Sequence, residues 1–273
     1  MQTTLQAVTV RPPAVAGMFY PADPTILGGD IERLLAAVPP ASTFQCPKAL
    51  IVPHAGVIYS GPTAAYGYAP LARFAGHIRR VVLLGPCHRV AIRGLAIPTV
   101  SAFATPLGSV PLDTAALATA AELPQVISHD GAHAQEHSLE VQLPFLQRVL
   151  GDFQLAPFAV GAATPAEVAE LIETLWGGSE TLIVISSDLS HFHPYAEAQQ
   201  RDHRSADDIL QLRLLTDHEQ ACGATPINGL IEVARRRHLI PELLDLRNSG
   251  DTAGDKQRVV GYASFAFMEP VHA

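Results

Sequence analysis

The sequence predicts an α/β fold: three α/β/α layers around a largely parallel or mixed central sheet, in one domain over residues 1–273. Three observations predict it. Apolar runs rich in Val and Ile, at residues 48–53, 80–84 and 181–185, are short enough for buried parallel strands. Between them lie longer stretches with helical period. Each run also ends in turn-forming residues and a histidine: Pro53-His54, Gly85-Pro86-Cys87-His88, and Ser186-Ser187-Asp188-Leu189-Ser190-His191. Open α/β sheets bind ligands beyond the carboxyl ends of their strands. Three imidazoles and a carboxylate are therefore expected on one rim, outside the apolar core.

The elements follow in order. Residues 10–21, with Pro12-Pro13 and Met18-Phe19-Tyr20-Pro21, read as an irregular opening segment. Ile26, Ile31, Leu34, Leu35 and Val38 predict a helix over 24–38, ended by Pro39-Pro40. The first strand leads to His54, and Gly61-Pro62-Thr63 opens a helix through Tyr68. The second strand leads to His88. Residues 94–112 predict one or two short strands, and Asp113 caps a helix through Ala121. A helix starts in His133-Ala134-Gln135-Glu136-His137-Ser138-Leu139-Glu140, with His137 in its first turn, and continues to Val149. Residues 153–160 form a strand. Thr164-Pro165 starts a helix that ends at Gly177-Gly178. The third histidine strand follows, then a helix over 195–215. Cys222-Gly223-Ala224-Thr225-Pro226 is a turn before a helix carrying Leu230, Ile231, Val233 and Ala234. Residues 258–267 alternate toward a final strand.

Composition excludes several classes. Apolar residues make up 48% of the 273, enough for a sizeable core. With 26 acidic against 18 basic residues, the net charge is −8 and no basic stripe is present, which argues against nucleic acid. No run of 18 apolar residues and no signal-peptide pattern occurs, so a cytoplasmic protein without a membrane span is expected. Cys46, Cys87 and Cys222 are too few and scattered for a disulfide framework, and reduced thiols are expected. Dinucleotide, P-loop, nucleophile-elbow and His-Glu-x-x-His signatures are absent.

Each candidate residue has a plain alternative. His54 and His88 are either strand-end ligands or turn residues. Cys87, next to His88 on extended chain, points the other way and reads as a buried small thiol. Asp188 and His191 share a face if the segment turns helical, as an acid–base couple, or else Asp188 caps a helix. Glu136 and Glu140 suit the positive end of a helix dipole. His129 and His133 read as surface residues, and His193, before Pro194, as a solvated turn residue. Cys222 is either an inert core thiol or a metal ligand whose thiolate the metal favours.

Together these segments resemble the Memo family, also called AmmeMemoRadiSam system protein B. The resemblance rests on Ala16-Gly17-Met18-Phe19-Tyr20-Pro21, Pro53-His54-Ala55-Gly56, Tyr59-Ser60-Gly61, Gly85-Pro86-Cys87-His88, Thr105-Pro106-Leu107-Gly108, Glu136-His137-Ser138-Leu139-Glu140, Ser186-Ser187-Asp188-Leu189-Ser190-His191 and Cys222-Gly223-Ala224-Thr225-Pro226-Ile227. It implies a fold similar to class III extradiol, protocatechuate-type dioxygenases, which hold non-haem Fe(II) with two histidines and a carboxylate. By resemblance His54 and His88 take the two histidine places and Cys222 the third. His191 takes the place of a catalytic acid–base histidine, with Asp188 beside it, and His137, Tyr59 and Phe19 fall in the pocket. Val57 and Cys87 depart from the commoner Tyr and Ser.

The resemblance implies iron(II) or copper(I) as cofactor, with zinc a third candidate. The expected function is a redox-related metal-binding protein with a small molecule or peptide in its pocket. It also implies a partner role beside a radical SAM enzyme and an AMMECR-type protein. The alternatives are an active iron dioxygenase on an aromatic substrate, a non-catalytic peptide-binding scaffold, and a zinc hydrolase.

Overall fold

A computed structural model describes residues 9–40 and 45–270. The single-domain expectation over 1–273 also takes in 1–8, 41–44 and 271–273, which lie outside the described residues. The chain runs through β1 (Val10–Arg11), α1 (Pro24–Ala36), β2 (Ala49–Val52), α2 (Val57–Tyr68) and β3 (Arg80–Pro86). Next come β4 (Leu95–Ile97), β5 (Ala102–Thr105), β6 (Gly108–Pro111), α3 (Thr114–Ala120), β7 (Val126–Ser128), α4 (Asp130–Ala134) and α5 (Leu143–Leu150). The last part holds β8 (Gln154–Val160), α6 (Pro165–Thr174), β9 (Thr181–Ser186), β10 (His191–His193), α7 (Tyr195–Leu210), α8 (Ala224–Arg237), β11 (Ile240–Asn248) and β12 (Val259–Met268).

The main sheet is mixed, in the order β10-β12-β2-β9-β3-β8-β4-β7, with β11 on the other edge of β12. The three histidine strands are neighbours, and β2, β9 and β3 run parallel. Their apolar runs are buried along almost their whole length, as central strands covered on both faces require. Parallel alignment puts all three carboxyl ends on one edge, so His54, His88 and the 187–191 segment meet there. Helices supply the outer layers: α1, α2 and α5 pack together, and α6 packs on α8, which rests on β3 and β9. Strands β1, β5 and β6 form a separate small sheet.

Helix starts follow their caps. Asp23 accepts the Thr25 and Ile26 N–H groups, Asp113 accepts that of Ala116, and Thr164 with Glu167 forms a capping box. Several expectations differ. Helix α2 begins at Val57, not at Gly61-Pro62. A Cβ on Gly61 would stand 2.8 Å from Leu34 Cδ1, so this glycine serves α1–α2 packing. The predicted helix from His137 is broken into a loop, a 3₁₀ turn over Glu140–Gln142, and α5. Helix α7 stops at Leu210, because Leu212 has a left-handed φ of 53°. Strands β1, β7, β10 and β11 were not predicted, and residues 94–112 hold three strands where one or two are expected.

The helix from His137 breaks because its acidic residues turn inward. Glu140 is fully buried, and its carboxylate accepts hydrogen bonds from Arg11 Nη1 at 2.6 Å, Ala14 N at 2.8 Å, Val15 N at 3.0 Å and Tyr20 Oη at 2.5 Å. Arg11 also donates to the carbonyls of His133 and Glu136. A dipole-complementing surface role for Glu140 is thus excluded. It ties the opening segment down, and that segment's Phe19 carbonyl receives Val57 N at 2.7 Å. Removing one partner of a buried ion pair leaves an uncompensated charge, so Glu140→Ala is expected to lose about 3–5 kcal/mol in urea unfolding. Hydrogen exchange of residues 14–20 should rise in the same variant.

Candidate metal centre

Three strand ends and one helix start assemble the site. His54 follows β2, and its ring is buried, 2% exposed. His88 follows β3. Cys222 precedes α8, where Gly223 N donates to Ser187 Oγ at 2.9 Å and Cys222 N to the Asp188 carbonyl at 3.2 Å. A Cβ on Gly223 would come within 2.7 Å of Ser187 Cβ and Oγ, so only glycine permits this approach. Candidate ligand atoms of His54, His88 and Cys222 all lie within 4.8 Å of one another. His54 Nε2 is 3.4 Å from Cys222 Sγ. Nitrogen and sulfur ligands of one tetrahedral ion sit about 3.5 Å apart, so the donor set has the spacing of a metal site.

Hydrogen bonding fixes which nitrogen of each imidazole is left to ligate. Ser186 Oγ donates its one proton to the Ser138 carbonyl at 2.6 Å and accepts from Gln142 Nε2 at 2.8 Å. Toward His54 Nδ1, 2.8 Å away, it can therefore only accept, so Nδ1 carries the proton and Nε2 is bare. Gln142 is held in turn by Tyr68 Oη at 2.7 Å and the Pro53 carbonyl at 2.9 Å. On the other side, Glu136 Oε1 accepts from His88 Nδ1 at 2.8 Å and Ser138 N at 2.9 Å, and Oε2 accepts from His88 N at 2.5 Å. His88 is left with Nε2 as its ligand atom. Carbonyl, hydroxyl and carboxylate partners behind metal-ligating histidines do this in known metal sites.

Electrostatics agree. Burial, then the neighbouring His137 and His88, holds His54 well below the usual imidazole range, so it is neutral and ready to ligate. Burial pushes Glu136 up, but its hydrogen bond from His88 and the N–H groups of Ser138 and His88 win and hold it at about 2. Burial and then the Asp188 carboxylate push the Cys222 thiol up to about 12. In the metal-free protein this thiol is protonated, and only a bound metal would displace the proton.

The other predicted residues divide between two adjoining clefts. Phe19, Tyr59, His137, Asp188 and His191 line one, with Tyr262 and Arg258. Cys87, His88, Cys222 and His218 line the other. His137 joins them: its ring stacks on His88, with centroids 4.7 Å apart, and packs on Phe19, also at 4.7 Å.

Five readings are revised. Asp188 caps no helix; it is buried at the wall of the cleft that His191 also lines, and it accepts His54 N at 2.7 Å. His54 is buried beneath the rim. Cys87 is half-buried on the cleft wall, its thiol donating to the Val90 carbonyl at 3.1 Å. His133 is buried with Nε2 3.0 Å from the Ala96 carbonyl, whereas His129 is half-exposed and caps α4. His193 is half-buried in β10, 3.2 Å from Glu197. Glu136, Ser186, Ser138 and Gln142 were missed as site residues. The one available signal was the polar Ser186-Ser187-Asp188 directly after an apolar strand.

Comparisons place this architecture among known proteins. A family model described as Memo-like protein matches residues 11–266. A MEMO1 family protein of Sulfolobus acidocaldarius is 35% identical over 282 aligned residues, covering 94% of this chain and 99% of its own. One from Aquifex aeolicus is 36% identical, covering 95% of this chain and 99% of its own. The solved structure of an uncharacterized protein from Escherichia coli superposes with a TM-score of 0.55 at 13% identity, covering 80% of this chain and 99% of that one. That likeness concerns the fold alone.

Two measurements test the site's protonation. A divalent ion at about pH 7 should release about one more proton from the wild type than from Cys222→Ser, read by calorimetry in buffers of different ionisation enthalpy. A thiol raised to about 12 in the folded state, against about 8.5 unfolded, stabilises the metal-free fold fully below the lower value. Stability should therefore fall as pH rises through that window, and Cys222→Ser should flatten the fall in urea midpoints.

Proposed function

The chain belongs to the Memo-like protein family, and on that premise we propose that it is a metal-binding, redox-related protein whose ion is held by His54, His88 and Cys222. One observation carries the reading. Both histidines have Nδ1 engaged by a buried partner, which leaves Nε2 as the ligand atom of each, beside a thiol at ligand spacing. Structural imidazoles do not need two independent buried partners leaving the same nitrogen free. A cleft runs along His88 and Cys222, so two of the three donors line a space open to solvent, with His54 buried behind them. Iron(II), copper(I) and zinc all accept imidazole and thiolate, and a bound ion supplies Lewis acidity or, for the first two, electron transfer.

The neighbouring cleft suits a small molecule or peptide. Phe19, Tyr59 and Tyr262 give it aromatic walls, and His191 sits where it can take or give a proton. A radical SAM enzyme and an AMMECR-type protein are the proposed partners.

One observation favours a second reading, an extradiol-type dioxygenase: His191 and Asp188 line the cleft next to the triad. Against it, Asp188 is held on the His54 backbone, and a cysteine stands where oxygenases of this kind use a carboxylate. A thiolate is itself oxidisable beside activated oxygen.

Metal analysis after anaerobic purification tests the first reading. The wild type is expected to bind one transition ion, and His54→Ala, His88→Ala and Cys222→Ser each to lose most of that affinity. Three variants that bind like the wild type sink the assignment. Ring cleavage of catechol, gallate and protocatechuate by iron-loaded protein is expected to stay well below about 1 per second, the low end of ordinary turnover. Faster oxygen uptake that vanishes in His191→Ala establishes the second reading instead.

A further inference from the structure

We propose that Glu136 is a positioning residue that gives the His54–His88–Cys222 centre its preference for a divalent over a monovalent ion. The inference rests on the metal-binding reading above and concerns which charge of ion the centre favours.

The two histidines are held by unlike partners. Behind His54 stands Ser186, a neutral hydroxyl. Behind His88 stands Glu136, 1% exposed, with both oxygens receiving N–H donors and no proton of its own to offer. Both partners orient a ring; only Glu136 adds a charge, one imidazole away from the ion. Arg11 does not neutralise it. That guanidinium is paired with the Glu140 carboxylate and meets Glu136 only at its backbone carbonyl. Arg89 acts on His137, and Asp188 adds a further buried carboxyl on the His54 turn.

Charge balance then decides. A divalent ion offsets one thiolate from Cys222 and the Glu136 carboxylate, and the Asp188 carboxyl, where ionised, adds a further negative charge. A monovalent ion leaves one more negative charge uncompensated in this buried place than a divalent ion does, which is costly. Softness favours Cu(I) at a thiolate, and Glu136 opposes that preference. The second possible ligand group, His88, Glu136 and His137, contains the same carboxylate, so replacing Glu136 removes one negative charge from either group.

The test compares metal-free wild type with Glu136→Gln, Glu136→Asp and Ser186→Ala. Each is titrated anaerobically with Co(II) and with Cu(I) against chelators of known affinity, and circular dichroism checks the fold. Glu136→Gln is expected to lower Co(II) affinity by about 10- to 100-fold and Cu(I) affinity by less than about threefold, so the ratio moves toward Cu(I). Glu136→Asp retains the charge with a shorter reach, and Ser186→Ala removes orientation without charge. Both should weaken the two ions alike. If Glu136→Gln does not fold, the same ratio is read in Glu136→Ala. Equal losses for both ions in the charge-removing variants, or no loss of Co(II), overturn the proposal while leaving the metal centre standing. A wild type that binds neither ion overturns the centre itself.

Discussion

Three polar residues at the end of one central strand hold this site together. Ser186, Ser187 and Asp188 close β9, and each is buried. Buried polar groups must find partners, and these find theirs on the elements that carry His54 and Cys222. Ser186 reaches His54, Gln142 and Ser138. Ser187 takes the Gly223 N–H and gives its own N–H to Val52. The Asp188 carboxylate takes the His54 N–H, and its carbonyl takes that of Cys222. The β2 turn and the α8 start are thereby positioned by the strand between β2 and β3. The next residues extend the same logic: Leu189 and Ser190 pair with Gly261 on β12, which keeps His191 at the sheet edge.

A second node fixes the other side. Glu136 and Glu140 lie in one short irregular segment and face different tasks. Glu140 collects the opening segment through Arg11, Tyr20 and two backbone N–H groups, and so sets Phe19 against His137. Glu136 turns to His88. Two buried carboxylates in one loop are tolerable because each is saturated with donors, charged or backbone. The loop cannot continue as a helix, because a helix would point both side chains away from these partners.

The central strands were legible because their burial is continuous: apolar runs of Val, Ile and Leu between turn residues have no other use in a chain of this composition. The histidines after them were legible by the same token, since a strand end in a parallel sheet is a site edge. Strand β11 was not. It follows the basic end of α8, contains Pro241, Glu242, Asp245 and Arg247, and is mostly half-buried, so its pattern resembles a surface loop until it pairs with β12 along its length. The buried acids were misread for a related reason. Acidic residues before an apolar run look like a helix start, and nothing local distinguishes a solvated carboxylate from one meeting an arginine far away in sequence.

By itself, then, the sequence determined the α/β class, the order of most elements, and the arrival of His54, His88 and His191 at one sheet edge, all of which depend on local apolar pattern and turn chemistry. Tertiary structure alone decided the protonation and charge of the centre. The contacts that set them, His54 with Ser186, His88 with Glu136 and Cys222 with His54, span 132, 48 and 168 positions. Hydrogen-bond direction is a property of paired groups, and which groups pair is settled only when the strands lie side by side.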